Sequence, residues 1–309
     1  MPRQDDPASA TGEPQVQTLS KVVSVRDAMH YAILARLTYR SEEFLERELI
    51  KPDNKYNVDQ YAFHYSSGKS NRAIIFLDHK RNDIILGFRG TDNPKNLLTN
   101  ININQVDFIA GKVHEGFKNM TYDLKGKYKE LLMSYLKDYP SYTLVVTGHS
   151  LGGALAVLST AILQQELGIK WDNIYLITYG QPRVGDRAFA SWLNSKPLYA
   201  TRVVNDYDGI PHLPPKTKTG YVHTHTEIYL RKNIAHICQS TVFEAKTCSN
   251  SRAHKFSKEG HDMYRYKVDL MNIIYGGAAI SNETKSDYLI FNCYNAQPDG
   301  EIIQLCYYD

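Results

Sequence analysis

The chain has 309 residues with Lys+Arg 36 against Asp+Glu 33, a formal net charge of +3. So even a balance leaves no basic surplus for nucleic acid, while 42% hydrophobic residues exclude disorder for most of the chain and suffice for one large or two ordinary domains. The longest apolar stretch, residues 154–163, contains Ser159 and Thr160 and is about half the ~20 residues of a membrane-spanning helix, so a soluble protein with no transmembrane segment is expected.

Residues 1–20 place Pro2, Pro7 and Pro14 among small and charged residues with no apolar run behind Met1, which predicts a flexible tail and no signal peptide. From Ser24, Ala28, Met29, Ala32, Ile33 and Leu37 recur at three- and four-residue steps, the spacing of a helix with one buried face. Segments 60–65, 73–78 and 83–88 are short and β-rich, the last two joined by the polar turn His79-Lys80-Arg81-Asn82. Beyond Gly116, Phe117, Met120, Leu124, Tyr128, Leu131, Leu132 and Tyr135 keep helical spacing until Pro140. A buried-type strand over 142–146, a helix over 151–167, strands over 173–179 and 200–204 and a helix over 188–193 between them complete an alternation of strand and helix. That alternation predicts an α/β layer with a largely parallel sheet. The main body is assigned to 21–275, and 276–309 is a C-terminal extension whose role the sequence does not disclose.

Gly148-His149-Ser150-Leu151-Gly152 fits G-x-S-x-G, in which small neighbours let a serine sit exposed on a strained strand-to-helix turn. The pentapeptide alone is weak, but the apolar Leu144-Val145-Val146 before it and the small-residue Gly153-Ala154-Leu155-Ala156 after it supply the strand and helix that the turn requires. Ser150 is the candidate nucleophile, in preference to a serine that merely caps a helix. A serine hydroxyl needs a general base and an orienting carboxylate, in the order Ser, Asp/Glu, His. The strand around Val203-Val204 runs into a proline-stiffened loop with two candidates, Asp206 and Asp208.

Here the sequence resembles the class 3, fungal-type lipases, which include feruloyl esterases of the same α/β-hydrolase fold. The resemblance rests on Gly148 to Gly152, Phe88-Arg89-Gly90-Thr91, Val113-His114-Glu115-Gly116-Phe117, Gly180-Gln181-Pro182-Arg183-Val184-Gly185 and Gly220-Tyr221-Val222-His223, in order along residues 21–266. It implies an α/β-hydrolase fold with the elbow at Ser150. In that family the acid immediately precedes an I/V-P-x-L-P-P run; Gly209-Ile210-Pro211-His212-Leu213-Pro214-Pro215 follows Asp208, which selects it over Asp206. The family's H-x-x-Y-F-G setting implies His261 as general base, in Gly260-His261-Asp262-Met263-Tyr264, although Arg265-Tyr266 departs from the pattern; His254, lacking the tyrosine, is the rival. Oxyanion donors are expected from the Leu151 N–H and, by the resemblance, from the N–H and hydroxyl of Thr91. His149, His114 and His223 are expected to hold loops by hydrogen bonding.

The resemblance also places a lid after Thr91. Asn93 and Pro94 suit a helix start, and Leu97, Leu98 and Ile101 share one face, for covering the site or for transient contact with a lipid surface. The family's lid tryptophan is absent, and Lys95, Asn96, Thr99, Asn100 and Asn102 make this lid more polar, as in the feruloyl-esterase branch. Cys238 and Cys248 stand where secreted members commonly carry a disulfide, and Cys293 with Cys306 is the simplest second pair; free thiols in a cytosolic enzyme are the alternative. No cofactor and no metal are expected, since His223-Thr224-His225 finds no third ligand. The sequence thus predicts a carboxylic ester hydrolase acting on lipid or another ester, most simply an acylglycerol lipase, secreted or luminal. A feruloyl-type or other soluble-ester esterase, acyl transfer to an alcohol, and a non-catalytic binding protein on the same fold are the rivals.

Overall fold

Serine starts the first two helices. The Ser24 hydroxyl accepts from the Asp27 N–H at 3.0 Å to cap α1 (Val25–Leu37), and Ser41 accepts from the Phe44 N–H at 3.2 Å to cap α2 (Glu42–Leu49). The computed structural model describes residues 24–51, 54–68, 71–91, 103–231, 234–238, 243–245, 248–252, 257, 259–263, 265–267, 269–270, 291–296 and 303–308. The tail 1–20, the lid residues Leu97, Leu98 and Ile101, and His254 lie outside the described residues.

Three strands follow the helices, β1 (Gln60–Tyr65), β2 (Arg72–Asp78) and β3 (Asp83–Phe88), then a separate hairpin of β4 (Gln105–Phe108) and β5 (Gly111–His114). Next come α3 (Glu115–Asp138), β6 (Thr143–His149), α4 (Leu151–Leu167), β7 (Ile174–Tyr179), α5 (Arg187–Asn194) and β8 (Tyr199–Asn205). After the one-turn α6 (Lys216–Thr219) the chain adds β9 (Thr226–Arg231), β10 (Ile234–Cys238), β11 (Phe291–Ala296) and β12 (Ile303–Tyr308). The main sheet has the order β1-β2-β3-β6-β7-β8-β9-β10-β12-β11. Its centre, β3 to β9, is parallel throughout, whereas the strands on either side pair antiparallel. The parallel sheet expected from the strand-helix alternation is therefore confined to the middle, where helices carry the crossovers.

Side chains of successive strand residues divide between two cores. Leu144 and Val146 of β6 pack with α3, α4 and α5, while Val145 packs with α1 and α2 on the other face. Every residue of α4 from Leu151 to Leu163 is buried, so this helix is apolar all round because protein surrounds it. Among the described residues no helix is long and apolar enough to cross a membrane. This central sheet between two helical layers, with a strand-to-helix turn at Ser150, is an α/β-hydrolase fold.

Two strands of the C-terminal extension continue the sheet, β12 pairing with β10 and β11 with β12, in a register that sets Cys293 opposite Cys306. Cys238, at the end of β10, is bonded to Cys248. The pair closes a loop with a sequence separation of 10, and chain entropy assigns such a cross-link about 2–3 kcal/mol. The double variant Cys238→Ser/Cys248→Ser is expected to lose that much unfolding free energy, seen as a lower midpoint in urea at an unchanged slope. An unchanged midpoint would show that the bond does not restrain the unfolded chain.

Candidate active site

Parallel strands end on one side of the sheet, and the turn between β6 and α4 stands there. Ser150 occupies it at φ 58° and ψ −128°, and its side chain makes no cap bond to the helix it begins. A non-glycine residue in this region of φ/ψ costs of order 1–3 kcal/mol. The neighbourhood enforces it: the Ser150 N–H donates to the Tyr179 carbonyl at 2.9 Å, and the Gly153 N–H donates to the Ser150 carbonyl at 3.0 Å. The bracketing glycines allow the close approach, since a Cβ on Gly148 would lie 2.3 Å from the Gly152 carbonyl oxygen and one on Gly152 would lie 2.2 Å from that of Phe88. Ser150 is 1% exposed, and its Oγ has no hydrogen-bond partner among the described residues.

Beyond β8 the chain turns through Tyr207, at φ 60°, and delivers Asp208 into the interior. The two Asp208 carboxylate oxygens each lie 2.9 Å from His261 Nδ1. Oδ1 also accepts the Ile210 N–H at 2.9 Å, and Oδ2 accepts the Tyr266 hydroxyl at 2.5 Å. Burial and then the charge of Asp208 hold the Tyr266 phenol well above its ordinary range, so it remains a donor. Because the carboxylate only accepts, the proton of a neutral His261 sits on Nδ1 and the lone pair on Nε2, which is buried without a partner among the described residues. Asp206, the rival acid, instead accepts from the Tyr229 hydroxyl at 2.8 Å and faces Arg231 at 3.7 Å.

His261 is delivered by a short turn, Glu259–His261, stitched to the acid loop by the Ser257 N–H donating to the Tyr207 carbonyl at 2.9 Å. His149 Nε2 meets the His261 carbonyl at 2.8 Å, and the two imidazole rings lie 4.5 Å apart. Burial, with the nearby His261 next, lowers His149 well below its ordinary range, so it is neutral and donates through Nε2. Gly90 packs under the elbow, where an added Cβ would come within 3.2 Å of Ser150 Cβ, and this sets Thr91 beside the same turn. Leu151 is the first residue of α4, so its N–H has no acceptor within the helix.

Buried charge braces the loop that follows Asp208. Arg183 meets Glu244 through two bonds of 2.8 Å, both side chains only 4% exposed, and the same guanidinium donates to the carbonyls of His212 and Pro214. Burial acts to raise the Glu244 carboxyl, but hydrogen bonds from Arg183 and the surrounding positive groups outweigh it and hold the carboxyl well below the usual range. His223 donates to the Pro211 carbonyl at 2.7 Å in the same network. His223-Thr224-His225 precedes β9 rather than lying in it, with His225 at φ 58° and lowered by burial to about 3. Among the described residues, the group spaced for a metal is Glu227, Cys238 and Cys248, and the disulfide occupies both of its sulfurs.

Sequence reading passed over Tyr39, Tyr266 and the Arg183–Glu244 pair. Arg183 lies inside a motif already noted, and Tyr266 is one of the two residues at which the resemblance broke down. Nothing local marks Tyr39 or Glu244.

The family profile described as Lipase (class 3) matches residues 85–218. The lipase of Rhizomucor miehei is 36% identical over 186 residues, covering 58% of this chain and 51% of the relative. Secreted mono- and diacylglycerol lipase 1 of Fusarium solani is 37% identical over 161 residues, covering 51% and 47%. Among solved structures, lipase II from Rhizopus niveus superposes with a TM-score of 0.69 at 30% identity, over 77% of this chain and 92% of that one. The chain spans about half the length of the curated relatives it matches.

Gly180, at φ 54°, leaves no room for a side chain: a Cβ there would lie 2.6 Å from Asp208 Oδ2 and 3.0 Å from His261 Nδ1. Gly180→Ala is expected to cost about 1–3 kcal/mol in denaturant unfolding. Glu244→Gln strands the buried Arg183 charge and is expected to cost about 3–5 kcal/mol at neutral pH. Since the folded Glu244 carboxyl titrates below its unfolded value, the stability it contributes is present above the unfolded value and is lost as pH falls through the folded one. Unfolding of the variant should therefore respond less steeply to acid than that of the parent.

Proposed function

The chain belongs to the class 3 lipase family, and on that premise we propose that it hydrolyses carboxylic esters, acylglycerols first, through an acyl-enzyme on Ser150. The Ser150 Oγ attacks the ester carbonyl carbon as His261 Nε2 takes its proton, while Asp208 holds the Nδ1 proton in place and balances the imidazolium. The oxyanion is met by the N–H of Leu151 and by the N–H and hydroxyl of Thr91. His261 returns the proton to the leaving alcohol, and a water deprotonated at the same nitrogen releases the acid. What supports this reading is that a buried imidazole held by Asp208 through Nδ1 keeps its other nitrogen free of any partner among the described residues, as does the serine hydroxyl on the strained turn.

Acylglycerols are the substrates we favour because the relatives are lipases and because the sequence spaces Leu97, Leu98 and Ile101 for one apolar helical face. Each of these side chains is worth roughly 1.5–3 kcal/mol when withdrawn from water, enough in sum to hold a lid open against lipid. We place the protein in a secretory or extracellular compartment, on the Cys238–Cys248 disulfide and on the secreted relative from Fusarium solani.

The test is the hydrolysis rate of a short-chain ester followed through its solubility limit, with Ser150→Ala as the blank. Ser150→Ala should lower kcat by about 10⁴-fold or more, and Thr91→Val by about 10²-fold. A jump in the wild-type rate when droplets form marks an interfacial lipase. Smooth saturation below the limit marks a soluble-ester esterase, and activity retained in Ser150→Ala would sink the acyl-enzyme.

A further inference from the structure

Tyr39 lies just beyond α1, yet its phenol reaches the nucleophile elbow across 110 residues of sequence. Its hydroxyl is 2.9 Å from His149 Nδ1, and the backbone N–H of Gly90 hydrogen-bonds the same phenol oxygen. The directions in this chain are forced. The His261 carbonyl can only accept, so His149 carries its proton on Nε2; a neutral imidazole then has a lone pair on Nδ1, and Tyr39, whose other acceptor is the His149 carbonyl at the longer distance of 3.4 Å, donates to it. The sequence of donors runs from the Gly90 N–H to the Tyr39 oxygen, from the Tyr39 hydroxyl to His149 Nδ1, and from His149 Nε2 to the His261 carbonyl.

We propose that Tyr39 is a positioning residue for ester hydrolysis, occupying the Nδ1 lone pair of His149, whose proton the His261 carbonyl holds on Nε2, and so tying the Gly90-Thr91 loop, the Ser150 turn and the backbone of His261 into one unit. The proposal rests on the roles given above to Ser150, His261 and Thr91. Three observations support it. Tyr39 is itself pinned, because the buried Arg72 guanidinium donates to the carbonyls of Thr38 and Arg40 on either side of it. The space is filled, since a Cβ on Gly90 would overlap the Tyr39 oxygen at 2.1 Å and the His149 carbonyl oxygen at 2.5 Å. His149 also lies against the base, and a proton on its Nδ1 would set a positive charge on a ring 4.5 Å from the one that must become imidazolium during turnover.

Among the described residues, the polar groups that His149 meets include Tyr39, His261 and Tyr266, whose ring is 5.8 Å away; Arg89 and Asp262 act on Tyr39, and Asp208 acts through His261. Of these, the Tyr39 hydroxyl occupies the lone pair that a second proton would take. Tyr39→Phe removes that block and leaves the ring volume in place.

The experiment combines nitrogen-15 NMR of the histidines, in a Ser150→Ala background, with pH–rate profiles on a monomeric soluble ester from about pH 5 to 9. In the Ser150→Ala protein with Tyr39 intact, His149 should show its proton on Nε2; a proton on Nδ1 overturns the proposal before any further variant is made. In Tyr39→Phe, His149 should take a second proton about one pH unit higher than with Tyr39 present, the worth of one buried hydrogen bond. Across the profile kcat should fall about tenfold with KM unchanged, the mark of a base held less well rather than of weaker substrate binding. A Tyr39→Phe protein with the same His149 titration and kcat overturns the positioning role. Absence of ester hydrolysis in the wild-type protein would instead overturn the proposed function, while the NMR titration would still decide the tautomer.

Discussion

Ser150 has a backbone conformation that a side chain resists, and much of the surrounding chain is arranged to keep it there. The turn at φ 58° is held by β7 through the Tyr179 carbonyl and by the first turn of α4 through the Gly153 N–H. It also needs Gly148 and Gly152, because the backbone of α4 and the end of β3 pass within the radius of a methyl group. A turn this tight requires a rigid strand before it and a rigid helix after it. The parallel centre of the sheet and the fully buried face of α4 supply both.

Electrostatics divides the interior into two regimes. Around the elbow the histidines His149 and His261 are arranged through hydrogen bonds of fixed direction, with Asp208 as the carboxylate that receives from His261, Tyr266 and the Ile210 N–H. Beyond it, the loop after Asp208 is clamped by Arg183 and Glu244, whose charges are too deeply placed to be tolerated singly. The first arrangement sets proton positions, and the second sets where the carboxylate stands. A carboxylate misplaced by an ångström would no longer face Nδ1, so the distant ion pair helps to set the geometry between Asp208 and His261 without touching either.

The elements legible in the sequence were those with a long period or a sharp boundary. β1, β3 and α4 begin and end where the pattern places them, since residues 60–65, 83–88 and 151–167 alternate or run apolar between polar turns. α2 passed unnoticed because its eight residues bury only Leu45 and Leu49, too little for a period to emerge. The β4–β5 hairpin is four residues a side and half-exposed, and β9 to β12 pair antiparallel at the sheet margin, outside the strand-helix alternation that betrays the centre. Of the site, Ser150 stood out through its local turn motif, and Asp208 and His261 only through the resemblance to class 3 lipases, whereas Tyr39 sits on an ordinary helix end with no marked neighbour.

By itself the sequence determined what is local or repeated: the strained serine turn, from a glycine-bracketed serine set between an apolar run and a small-residue helix start; the α/β layering, from the alternation of apolar strands and helices; and the lack of a basic surplus. Only the tertiary structure decided what depends on residues far apart meeting. It brought His261 against Asp208 rather than Asp206, set Tyr266 on the carboxylate, paired Arg183 with Glu244 across 61 residues, and carried the Tyr39 phenol to His149. The physical reason is that hydrogen-bond direction and burial are properties of a place in space. A residue's neighbours in the chain fix its backbone turn, but the groups that set its proton arrive from other strands.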